Sequence, residues 1–380
     1  MSMDFEEFKK EISNRVKEYL PQKFEDSNIE FKEILKNNDT ILNAVLIENP
    51  DTNITPTIYI DKMFEEYKNG EDINIIAGNI ADIYIENTVD KSIDISIVTD
   101  FDKVKDNIVP RLVNAEENRE ILADKPHMIM EDLAVTYHIQ LESNEMGTAS
   151  VAITNMIMDL FGVSQDELHK VAVANLEEKM PATLRDMNEV VKDMIIRDCM
   201  NNGGMDVESA TEMAESMMPA GDTKMFVLSC ENAVNGATVV LNEKAMDMVK
   251  EQVGEEFFVL PSSLHELLIV PKEDGMTVSD LENMVREVNA TQVAPEEKLS
   301  DHVYQYDANE KELFRADRAE EHEKKLIQKH EHKREQVQDK GKSHERVSVK
   351  DKLMEKKAKA TEVNKGHEKN HEKEKAIMIY

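Results

Sequence analysis

The sequence predicts an α+β fold. Largely antiparallel hairpins pack with helices, and a charged C-terminal tail, helical or disordered, follows. Three observations carry this. Helical and strand-like periodicities alternate without a regular strand–helix–strand repeat, which disfavours a doubly wound sheet. One stretch, "HMIMEDLAVTYHIQL", has bulky apolar residues at almost every second position: Met128, Met130, Leu133, Val135, Tyr137, Ile139 and Leu141. That is the period of a strand with one buried face. Near residue 310 the composition turns to Lys, Glu and His, with Leu326, Val337 and Leu353 too sparse for a core or a heptad seam.

The elements follow in order. Phe5, Phe8, Ile12 and Val16 recur at helical spacing, and Pro21 stops that helix. Strands near 29–35 and 41–47 flank "KNND", a turn sequence, and "PTIYID" supplies a third strand. "KMFEEYKNG" is a helix stopped at Gly70, and Ile73, Ile76, Ile80 and Ile83 mark the next. Asp100 opens a helix that Pro110 breaks, and a short helix follows Asn114. The segment from Ala149 to Met180 reads as helical on both sides of Gly162, with Ser164 and Glu167 forming a capping box. "CMNNGGMDVESATEMAESMMPAGD" reads as a loop or a loose helical insertion. "KMFVLSCENAVNGATVVLN" reads as two strands around Asn235-Gly236. A helix closed by Gly254, the strands "EFFVLP" and "ELLIVP", a helix capped by Thr277 or Ser279 and a last strand at "DHVYQYD" complete the body. The segmentation is 1–98, 99–198, a Met-rich linker at 199–223, 224–308, and a low-complexity tail at 309–380.

Charge narrows the function. The 380 residues carry a net charge of −32, but residues 311–375 hold 20 Lys and Arg against 15 Asp and Glu. The tail is therefore +5 and the remainder −37. Such a body repels nucleic-acid phosphates and attracts basic partners. Direct nucleic-acid binding is expected at most as weak contact through the tail. Cys199 and Cys230 are the only cysteines and make no metal-binding spacing, which fits a reducing compartment. The first 20 residues are acidic and amphipathic, without the apolar run of a secretory leader. No apolar run approaches the about 20 residues needed to cross a bilayer. A cytoplasmic protein without membrane contact is expected.

The chemistry-bearing residues concentrate in "VLPSSLHELLIVP", at Ser262, Ser263, His265 and Glu266. They are the candidates for a catalytic group. His265-Glu266 begins a His-Glu-x-x-His zinc motif, but Ile269 stands where the second histidine belongs. The Gly-x-Ser-x-Gly elbow of many serine hydrolases is missing. Pro261 ending a strand and serines closing a tight turn account for the same residues. The tail holds a literal His-Glu-x-x-His at His367 to His371, on a segment with no apolar face to seat it. No phosphate-binding glycine motif occurs. No metal or cofactor is predicted. His127, His138 and His169 read as packed or surface residues. Asp301-His302 would approach His265 if their strands were neighbours. Ser348 is placed to cap a short basic helix carrying Val349, Leu353 and Met354, suited to a partner's groove.

Several stretches together resemble a known pattern: "TPTIYIDKMFEEYKNG", "RLVNAEENREILADKPHMIMEDLAVTYHI", "NGATVVLN", "FVLPSSLHELLIVP" and "VREVNATQVAPEEKLSDHVYQYD". Over residues 3–307 the chain resembles an uncharacterised Firmicutes family, domain of unknown function 5688. "FGVSQDELHKVAVANL" is similar to a second uncharacterised family of the same bacteria. The resemblance implies a setting among mobile genetic elements and supplies no catalytic site. The expectation is a non-enzymatic interaction or accessory protein with an unidentified protein partner. The rivals are a hydrolase using Ser262 or Ser263 with His265 and Glu266, and an acidic mimic of DNA.

Overall fold

The computed structural model describes residues 3–53, 55–88, 98–144, 147–218, 224–272 and 276–329. It is α+β, with three antiparallel sheets packed against helices. Helix α1 (Phe5–Tyr19) starts at a reciprocal cap: the Glu7 amide donates to Asp4 Oδ1 at 2.8 Å, and the Asp4 amide to Glu7 Oε2 at 3.1 Å. Its Phe8, Ile12 and Val16 stripe is buried. Strands β1 (Asn28–Leu35) and β2 (Ile41–Glu48) pair from Asn28↔Glu48 to Leu35↔Ile41, and β3 (Thr57–Tyr59) joins the free edge of β2. Asn38 and Asp39 take left-handed backbone angles in the turn, which short polar side chains tolerate. Helices α2 (Asp61–Lys68) and α3 (Ile73–Asn87) cover the sheet. Phe8, Ile12, Val45, Ile47, Ile80 and Tyr84 share one core.

A four-stranded sheet follows, centred on a long strand. After the short helix α4 (Phe101–Val104) come β4 (Ile108–Asn114), α5 (Arg119–Ala123), β5 (Met128–Met130), β6 (Leu133–Asn144) and β7 (Gly147–Ala152). The twelve residues of β6 pair with β4 along one edge and with β5 and then β7 along the other. Pro110 does not break the chain, because it lies in β4, an edge strand that needs only one hydrogen-bonded side. The expected helix from Ala149 is corrected too. Thr148, Ser150 and Val151 lie in β7, and α6 (Asn155–Phe161) begins only after Thr154, whose hydroxyl caps it. Gly162 ends α6 at φ +66°, and Ser164 caps α7 (Gln165–Ala174) by accepting the Glu167 amide. Helix α8 (Leu176–Lys179) completes the run.

The third sheet has six strands in the order β13-β12-β10-β11-β9-β8. They are β8 (Ala182–Asp186), β9 (Phe226–Cys230), β10 (Phe257–Pro261), β11 (Leu267–Pro271), β12 (Tyr304–Asp307) and β13 (Glu312–Arg315). Between β8 and β9 stand α9 (Met187–Asn201) and α10 (Val207–Met217), an antiparallel helical hairpin; α10 falls in the stretch whose composition suggests a loop or a loose helical insertion. Helix α11 (Glu243–Val253) precedes β10, and α12 (Val278–Thr291) precedes β12. The sequence predicts a strand beside β9 at 236–241, but these residues form a buried 3-10 turn. Both edges of β9 are already taken, by β11 and β8, so "GATVVL" cannot join the ladder. It fills the core instead with Ala237, Val239 and Val240. Strand β13 falls among residues that composition assigns to the tail.

Strands β10 and β11 are apolar throughout because both faces of their sheet are covered. Val259, Leu267 and Ile269 face the central core, which extends from Val98 to Leu313 and so joins the middle and C-terminal segments. Phe258, Leu260 and Val270 face a smaller core with Leu281 and Val285 of α12. Residues 1–317 form one unit; in the second, from Arg318, a helix over 319–329 is described. Among the described residues, no helix is long and apolar enough to cross a membrane. The histidine motif at 367–371 and the segment from Ser348 lie outside the described residues.

Candidate functional site

Ser262, Ser263, His265 and Glu266 sit on one turn, between β10 and β11. The Ser262 and Ser263 amides both donate to the Glu266 carbonyl, at 3.3 and 3.2 Å. The Ser262 hydroxyl donates to Glu266 Oε1 at 3.1 Å, and Ser263 Oγ accepts the His265 amide at 3.0 Å. The imidazole is engaged elsewhere. Its Nδ1 accepts the Asn235 amide at 3.1 Å, which places the ring proton on Nε2, 3.7 Å from Glu297 Oε1. No hydrogen bond among the described residues joins either serine hydroxyl to the ring, the link a serine nucleophile requires. The turn acts as a clip. Ser229 Oγ donates to the His265 carbonyl at 2.7 Å and the Leu264 amide to the Glu297 carbonyl at 2.8 Å. His302 pairs with Glu282 rather than with His265.

A second polar constellation brings together residues far apart in sequence. A cleft of about 470 Å³ is lined by Asn38, Asn114, Asp132, Ser300, His302 and Arg315, among others. At its wall, Asp132 accepts from the Ser300 hydroxyl and the Tyr304 phenol, each at 2.7 Å. Burial, then the Asp132 charge, pushes the Tyr304 phenol well above its ordinary range, so it remains a donor. Glu282, His302 and Asp317 bring potential ligand atoms within 4.8 Å of one another. Both carboxylates already hold guanidinium groups: Arg286 on Glu282 at 2.6 Å, and Arg315 on Asp317 through two bonds of 2.9 and 2.6 Å. The two arginines neutralise the two carboxylates, and a cation there would have to displace them. No local motif announces this cluster, because its members come from the β5–β6 turn, α12, the loop before β12 and the end of β13.

The third feature is the exposed face of the α9–α10 hairpin. Helix α9 has no fully buried residue, and α10 buries only Ala210 and Ala214. Met194 is 60% exposed, Val207 59% and Met217 58%. Residues 187–217 carry seven Asp and Glu against two Lys and Arg. The helices are tied by Lys192 to Glu215 at 2.6 Å and by a contact of the Cys199 thiol with the Met213 sulfur at 4.0 Å. Exposed methionines thus stand among acidic residues, on a hairpin that gives little to the molecule's own core.

Comparison with known proteins adds a family and no activity. No curated protein and no solved structure matches the chain. A family of unknown function, DUF5688, matches residues 5–308, which span all three sheets up to the β12–β13 turn. Most of the chain lies within that match, and the chain belongs to this family.

Proposed function

We propose that the protein is a cytoplasmic, non-enzymatic interaction module whose α9–α10 hairpin receives a basic amphipathic helix of a partner protein. The observation that carries this is the set of exposed methionines on a hairpin of acidic composition. Unbranched, polarisable methionines adapt to varied apolar side chains. The surrounding carboxylates favour Lys and Arg at the helix margins and steer a basic partner toward the face. The negative charge of the whole body acts in the same direction.

The test is a titration of the full chain into a labelled synthetic helix of Leu and Lys, read by fluorescence anisotropy. A helix of the same length with Glu in place of Lys is the control. Saturable binding of the basic helix alone is expected, weakening as salt is raised. Met194→Glu with Met217→Glu should weaken it by about tenfold or more while leaving stability within about 0.5 kcal/mol, since both side chains are exposed. Equal binding of the two helices, no binding of either, or indifference to the double substitution overturns the reading.

A further inference from the structure

A cluster of basic groups lies on the sheet built around β6, away from the features described above. Strand register places it. Arg111 of β4 pairs with Thr136 of β6, and His138 is two residues further along, on the same face. Ser150 of β7 pairs with Gln140, again on that face. The opposite face carries Leu112, Val135, Tyr137 and Ile139 into the core. Lys125, in the loop after α5, lies within electrostatic reach of both Arg111 and His138.

These groups lack the partners such groups normally have. The Arg111 guanidinium makes one side-chain hydrogen bond, to Ser150 Oγ at 2.7 Å. Among the described residues no carboxylate pairs with Arg111 or Lys125, and the His138 ring makes no hydrogen bond. Asp124, exposed beside Lys125, acts on it only through space. Burial brings Arg111 down to about 10. Burial, followed by repulsion from Arg111, also lowers Lys125. A half-buried cation without a counter-ion is costly. It is the more unexpected in a body with 63 Asp and Glu against 26 Lys and Arg outside residues 311–375.

We infer that Arg111, Lys125, His138 and Ser150 form a binding site for a phosphate group, free or carried by a small molecule. The chemistry fits each part. A guanidinium with one donor committed to Ser150 keeps a fork for two oxyanion oxygens. The ammonium adds a second positive charge, so the pair balances a dianion. A neutral imidazole adds one N–H donor without further charge. The site is independent of the helical hairpin and of the proposed peptide docking there.

The experiment is calorimetric titration and thermal unfolding of the full chain with sodium phosphate, against sodium chloride at matched ionic strength. Saturable binding with a phosphate-specific rise in Tm is expected. Arg111→Gln and Lys125→Gln should each weaken binding by about tenfold or more. Without phosphate they should leave Tm unchanged or raise it, because each removes a half-buried charge that no carboxylate pairs with; a purely structural role would lower it. Glycerol phosphate is the second ligand: binding tighter than inorganic phosphate marks a phosphorylated metabolite, and weaker binding marks the free ion. Equal effects of phosphate and chloride, or unaltered binding by the Lys125→Gln protein, overturn the inference.

Discussion

At the scale of single residues, His138 and Asp132 show how burial and neighbours set chemistry. The half-buried Asp132 carboxylate accepts from two hydroxyls, of Ser300 and Tyr304, which take the place of water as its partners. His138 has no such replacement. Burial first, then Arg111 and Lys125, hold its imidazole well below the ordinary value of 6.5. The sign of the consequence follows from proton counts. Well above pH 6.5 the ring is neutral in both folded and unfolded chains and contributes no pH dependence. Below it, the unfolded chain binds a proton that the folded chain refuses, so stability falls as the pH drops. His169, lowered by burial against an opposing effect of Asp166, acts in the same direction. Urea unfolding at pH 7.5 and 5.5 should show lower stability at the acid pH, and His138→Gln should reduce that difference. An unchanged difference would place the His138 ring in water.

At the scale of elements, the 3-10 turn at 236–241 and the 262–266 turn hold one another. The two meet where Gly236 lies against Ser229 and His265. A Cβ added at Gly236 would stand 2.2 Å from Ser229 Oγ, 2.4 Å from the His265 carbonyl oxygen and 2.8 Å from the Cys230 amide nitrogen. Two of those atoms are backbone in β9 and the turn and cannot rotate away. Gly236→Ala should therefore cost about 1–3 kcal/mol or more, measured as a shift in urea midpoint. A neutral substitution would mean that β9 and the turn separate easily. The same contacts explain why a cluster of Ser, His and Glu occurs here: its polar atoms join a hairpin to a buried segment. The α9–α10 hairpin is the contrasting case, with exposed methionines where an element committed to the core would bury them.

At the scale of the whole molecule, the N-terminal layer and the central core are separate apolar clusters joined by polar contacts at the β1–β2 tip. The Asn38 side-chain amide donates to the Pro295 and Lys298 carbonyls at 2.7 and 2.8 Å. Asn118, fully buried, accepts the Asn38 amide at 2.8 Å and donates to Asn38 Oδ1 at 2.9 Å and to the Asn114 carbonyl at 2.8 Å. Asn118→Ala removes all three bonds and should cost about 1–3 kcal/mol. Hydrogen exchange should speed up over residues 28–48 while β6 stays protected. Uniform acceleration throughout would show that the layers unfold as one cooperative body.

Much of this architecture is legible in local pattern. The alternation from Met128 to Leu141 determines β5 and β6, the Phe8–Ile12–Val16 stripe determines α1, and the Ser164 and Thr277 caps fix where their helices begin, because each signal depends on residues within a few positions. The family pattern was likewise readable as sequence. Three things depended on tertiary structure. "GATVVL" has the composition of a strand, and only the occupied edges of β9 turn it into a core plug. Pro110 is tolerated only because β4 lies at an edge. Asp132 with Tyr304, and Arg111 with Ser150, meet across 172 and 39 residues, and no local spacing encodes such a meeting. Sequence determined which segments form elements, since propensity and periodicity are local; the sheet order decided which side chains share a site, since pairing is a property of the whole chain.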